Sequence, residues 1–118
     1  MKRNIVAEKS IEFAIKIVDM SQYLNETAKE YIISKQLLRS GTAIGALIRE
    51  SEHAESRRDF LHKLNIALKE SNETDYWLLL LYKGNYLSSE SYYSAMSDCN
   101  ELTRLRASIV KTLKTDLK

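Results

Sequence analysis

Apolar residues recur every three or four positions along almost the whole chain, the spacing that puts side chains on one side of an α-helix. Short polar stretches divide the pattern into four runs, which predict helices over about residues 4–24, 27–51, 57–84 and 89–115. The breaks carry helix-boundary chemistry. Thr27 with Glu30 three residues later reads as a capping box, and Ser56 with Asp59 reads as a second helix start. Gly84-Asn85 reads as a left-handed C-terminal cap, and Ser88 or Ser89 opens the fourth helix. All three connections are short, so consecutive helices should be antiparallel neighbours. The fold class is all-α: an antiparallel up-down-up-down four-helix bundle, with residues 1–118 as one domain.

The faces of these helices carry more apolar surface than one bundle needs. In helix one, Ala7, Ile11, Ala14, Ile15 and Val18 make one stripe; Val6, Phe13, Ile17, Met20 and Leu24 make a second. Together they cover roughly 220° of arc, against the ~100° that one core requires. Helix two carries Gly41 and Gly45 one turn apart in its middle, two of only three glycines in the chain. Each should weaken the helix by about 1 kcal/mol relative to alanine, so close packing against a neighbouring backbone is the physical reason to keep them. Helix three is two-sided as well, with Phe60, Leu64, Ala67, Ser71, Thr74 and Leu78 on one stripe and Ile66, Glu70, Glu73, Trp77 and Leu81 on the other. The spare faces of helices one and three are expected to meet another subunit, with Val6, Phe13, Ile17, Met20 and Trp77 as candidate contacts and Gly41 and Gly45 as points of close packing. Two carboxylates among apolar neighbours need a partner; Arg106, on the inward stripe of helix four, is a structural polar candidate for Glu70 and Glu73.

Composition sharpens this picture. The chain has no proline, 44% hydrophobic residues and nearly balanced charge, 18 Lys plus Arg against 16 Asp plus Glu. That combination argues against disorder and for a helical core. A net charge of +2 does not advertise nucleic-acid binding. Lys35, Arg39, Arg49, Arg57, Arg58 and Lys63 do cluster around the connection of helices two and three, where they are candidate phosphate contacts interleaved with acids. From Arg104 onward, five basic residues face the single acid Asp116. Cys99 is the lone cysteine, in keeping with a reducing compartment. Lys2 and Arg3 precede an apolar run that Glu8 and Lys9 interrupt, unlike a signal peptide. The apolar run from Tyr76 to Tyr82 is too short to span a bilayer. The expected location is cytoplasmic, with no membrane partner.

Catalytic chemistry finds little support. Glu50 and His53, and Asp59 and His62, have the three-residue spacing of helical di-iron sites. However, both histidines fall away from the core stripes and flank one loop, so no metal is assigned. Cys99 projects into the core, where a thiol behaves as a small hydrophobe. Glu70 and Glu73 read as structural, and no phosphate loop is present. Tyr76, Tyr82, Tyr86, Tyr92 and Tyr93 with Trp77 read as a sealed bundle end or an interface. No catalytic residue or cofactor is assigned, and the chain is not expected to be an enzyme.

The order QLLRSGTAIGA, IRE, AESRRDF and KLNIALKESNETDYWL, within residues 36–81, resembles a family of bacterial four-helix-bundle proteins that includes those encoded by intervening sequences in 23S rRNA genes. The resemblance implies a homopentameric bundle without established enzymatic activity; its ribosomal label reflects where some members are encoded. It also brings in a relative, the accessory variability determinant of diversity-generating retroelements, a basic pentamer that binds nucleic acid and a reverse transcriptase. Two departures bear on partners: Leu47 stands where the family commonly has Asn, and the charge is close to neutral. The resemblance implies a scaffold or binding protein whose partners are itself and RNA or a protein–RNA complex; the alternatives are a protein-interaction module without nucleic acid and a metal-dependent enzyme.

Overall fold

The computed structural model describes residues 5–116, with side chains to Leu113. Lys2, Arg3, Asn4 and Lys118, and the side chain of Lys114, lie outside the described residues. Four helices follow one another: α1 (Ile5–Glu26), α2 (Ile33–Ser51), α3 (Arg57–Lys83) and α4 (Ser89–Asp116). Helix α1 packs on α2 and α4, and α3 packs on α2 and α4, while among the described residues the diagonal pairs make no close backbone approach. This is the up-down-up-down bundle the hydrophobic pattern predicts.

Local chemistry sets the helix ends. Ser56 adopts an extended conformation and its Oγ accepts the Asp59 amide at 3.1 Å, which opens α3. At the other end of α3 the left-handed position falls on Asn85, with φ of 68°, while Gly84 keeps a negative φ. Ser88 opens α4 by accepting the Ser91 amide at 3.1 Å. The start of α2 differs from the expected capping box at Thr27. Lys29 takes a left-handed φ of 57° and breaks the helix, so α2 begins at Ile33. Glu30 then turns back on the new N-terminus. Its carboxylate accepts the amides of Ile32, Ile33 and Ser34 at 3.0, 2.8 and 2.8 Å. One carboxylate thus satisfies three of the amides that a helix start leaves without partners.

The core gathers Phe13, Ile17 and Leu24 of α1 with Leu37 and Ile44 of α2, Leu64, Leu78 and Leu81 of α3, and Ala95, Cys99 and Leu102 of α4, all nearly inaccessible to water. Gly41 lets α1 and α2 come together: a Cβ there would meet Ile17 Cγ2 at 2.9 Å. Gly45 is looser, its nearest neighbours being Ser10 atoms at 3.4 Å. The α2–α3 contact is close and partly polar, with Thr74 Oγ1 donating to Ser40 Oγ at 2.9 Å in the interior. Across α3 and α4, Ser71 pairs with Thr103 at 2.8 Å.

Candidate interaction surface

The most exposed apolar surface along a helix lies on α1. Ile11, Ile15 and Val18 are 53%, 57% and 45% exposed. With Ala14 they form one wall of a shallow groove of about 330 Å³, whose other wall is Thr42, Gly45, Ala46 and Arg49 of α2. Of the two stripes read on helix one, the structure turns Val6, Phe13, Ile17 and Met20 into the chain's own core. That stripe is closely packed within the chain itself, where Gly41 receives Ile17. The Ile11–Val18 stripe is the one that stays exposed. Trp77 is half-buried; its Nε1 donates to Glu73 at 3.3 Å, and its ring meets Tyr76 edge-on.

Glu70 and Glu73 find a partner other than Arg106. Arg39 reaches across from α2 with its two terminal nitrogens, bonding Glu70 at 3.1 Å and also Glu73. The hydrogen bond from Arg39 holds the Glu73 carboxyl below its usual range, helped by Trp77 and opposed by partial burial. Arg39 in turn is pushed up, first by its bond to Glu73. Arg106 donates instead to Asn65 Oδ1 at 3.2 Å, and burial pushes its guanidinium down. The reason is reach: α2 and α3 pack face to face, and the flexible stem of Arg39 crosses the gap although its backbone lies on the outer side of α2.

The six clustered cations therefore fall into two sets. Arg39 is engaged with Glu70 and Glu73, and Lys63 lies 3.8 Å from Glu50. Lys35, Arg49, Arg57 and Arg58 are exposed. His53 and His62 are exposed too, and no three His, Cys, Asp or Glu side chains converge as a metal site among the described residues. Cys99 is buried against Ser71, and burial pushes its thiol up. Tyr82 stacks on Tyr92 with ring centroids 4.3 Å apart, and Tyr93 meets both edge-on. No helix among the described residues is long and apolar enough to cross a membrane. Sequence reasoning missed the Glu30 collar and the exposed Tyr31–Ile32 pair beside it.

Comparison with known proteins bears on the whole chain. A family model described as 23S rRNA-intervening sequence protein matches residues 2–108. The crystal structure of a Bacteroides thetaiotaomicron protein of unknown function, from the S23 ribosomal protein family, is similar. It shares 53% identity over 91% of this chain and 99% of its own, with a TM-score of 0.89. Comparison with curated proteins finds no match.

Proposed function

The chain belongs to the 23S rRNA-intervening sequence protein family, and from that premise we propose that it is a non-catalytic scaffold that works as a homo-oligomer, in the form of a pentameric ring. The observation that carries this reading is the aliphatic stripe on α1. Ile11, Ile15 and Val18 are each about half exposed. Covering the remaining half of each is worth about 1 kcal/mol, or roughly 3 kcal/mol for the stripe. A monomer leaves that gain unused at every copy, whereas side-by-side copies recover it.

RNA or a protein–RNA complex is the partner this reading assigns to the assembly. Support comes from the family resemblance and from the exposed cations Lys35, Arg49, Arg57 and Arg58, which a ring would multiply. A second reading, a protein-binding scaffold without nucleic acid, is favoured by the engagement of Arg39 with Glu70 and Glu73 and by the net charge of +2.

Light scattering with absorbance at 260 and 280 nm tests both parts. The expected mass is five times the 13.6 kDa of one chain. A monomer at about 1 mM, where a net gain of roughly 4 kcal/mol already holds copies together, would overturn the assembly. If RNA is the partner, binding should weaken steeply with salt and with Arg57→Glu/Arg58→Glu; no binding at low salt leaves the protein-only scaffold.

A further inference from the structure

We propose that the copies join head to tail, with the outer face of α1 on one copy seated along the outer face of α3 on the next. This rests on the self-assembly reading above and adds the pairing of surfaces. A contact between two different faces repeats around a ring, whereas a face that meets its own copy closes a pair.

The two faces carry opposite charge. Beside the Ile11–Ile15–Val18 stripe, Glu12, Asp19 and Glu26 stand exposed along the outer side of α1 at seven-residue intervals. The lysines beside them on α1 are already engaged: Lys9 pairs with Glu101 and Lys16 with Asp98 on α4. Helix α3 presents the complement. Lys69, Tyr76 and Lys83 stand exposed along its outer side at the same interval, with exposed Leu79 next to them. Of the acids in this stretch, Glu70 and Glu73 are turned to Arg39, and half-buried Asp75 stands toward Tyr92 of α4.

The levels agree as well. Helices α1 and α3 run in the same direction within a bundle of alternating helices. Lys16 is level with Asp98, and the neighbouring Cys99 with Ser71. Ile17 is level with Gly41, and the neighbouring Ser40 with Thr74. Residues 16 and 17 of α1 thus stand at the height of residues 71 to 74 of α3. The same rise sets Glu12, Asp19 and Glu26 each within one residue of the height of Lys69, Tyr76 and Lys83, over about 21 Å of helix. In a ring whose bundles stand parallel to its axis, as proposed here, the copies are related without displacement along the helices, so these heights are the ones that meet. Two carboxylates face two ammonium groups, the Tyr76 hydroxyl faces Asp19, and the Tyr76 ring and Leu79 cover the aliphatic stripe. Opposite charge in register selects this pairing over α1 against α1, where six carboxylates would crowd together.

The test uses two variants that each spoil one face, Ile15→Asp and Leu79→Asp. Both positions are solvent-exposed in the single chain, and circular dichroism checks that each variant is helical. Each alone should be monomeric by light scattering. Mixed, they should form a one-to-one dimer, because the intact α1 face of one fits the intact α3 face of the other. If the wild type assembles and Leu79→Asp assembles like it, or if the mixture stays monomeric, the pairing is wrong while the scaffold reading stands. A monomeric wild type removes both. Charge reversal supplies the readout of register: Lys69→Glu/Lys83→Glu should weaken assembly at least tenfold, and adding Glu12→Lys/Glu26→Lys to the same chain should restore it. Loss without restoration overturns the alignment.

Discussion

Replacing Gly41 by alanine measures how closely α1 and α2 are held. The added methyl would sit 2.9 Å from Ile17 Cγ2 and 3.0 Å from its Cγ1, well inside the ~3.5–4.0 Å of ordinary carbon contact. Ile17 has no exposed surface, and a β-branched side chain in a helix has one strongly preferred χ1, so it has nowhere to swing. Overpacking of this kind costs about 1–3 kcal/mol, and the better helix propensity of alanine returns about 1 kcal/mol. The expected net effect of Gly41→Ala is a loss of about 1 kcal/mol. Removing the obstacle should invert the sign. In an Ile17→Ala background, itself about 2–5 kcal/mol less stable, both Cγ atoms are gone and the nearest remaining atom is Cβ at 3.3 Å. There Gly41→Ala keeps the propensity gain and fills part of the void, so it should stabilise by about 1 kcal/mol. Urea unfolding of the four chains, followed by circular dichroism at one protein concentration, gives the coupling directly. The same effect in both backgrounds would refute the claim that Gly41 exists to admit Ile17.

Glu30→Gln should lower stability by about 1–2 kcal/mol at neutral pH, because the charge at the start of α2 is lost. Burial opposes ionisation of Glu30, but the amides of Ile33, Ser34 and Ile32 outweigh it and hold the carboxyl below its usual range. Its contribution is therefore full above the ordinary carboxylate value of about 4.3 and fades as pH falls through the lower folded-state value. Urea midpoints of the two proteins should converge in acid; a constant gap would contradict the assignment. Cys99, with its thiol pushed up by burial, should react with an aromatic disulfide at least a hundredfold more slowly in the native protein than in urea, and comparable rates would mean that α4 opens freely.

The helix count and most boundaries were legible because their chemistry is local. Ser56 with Asp59, Asn85 after Gly84, and Ser88 each act within four residues of themselves. The start of α2 was not legible, because Lys29 carries no local signature for a left-handed turn and Glu30 serves amides on its C-terminal side. Which stripe of α1 faces inward was hidden for a different reason. Both stripes are aliphatic, and the choice is made by the gap at Gly41, on another helix. Glu70 and Glu73 were readable as carboxylates in want of a cation, but their partner depended on how α2 and α3 rotate against each other. That rotation brought Arg39 within reach and left Arg106 to Asn65.

The meeting of α1 with α4 is the one helix boundary in the bundle with no turn to join it. It is also the most sparsely packed. Lys9–Glu101 and Lys16–Asp98 lie across it like two clasps. The molecule is in effect three hairpins rolled up and fastened along one edge. A fluctuation that unfastens this edge leaves every turn intact and needs no global unfolding. Amide hydrogens flanking the edge should exchange first and sooner in high salt, and those between α2 and α3 last. A partner lying along the outer side of α1 would brace the helix that forms one lip of the edge, so assembly would change when the bundle opens as well as how many copies stand together.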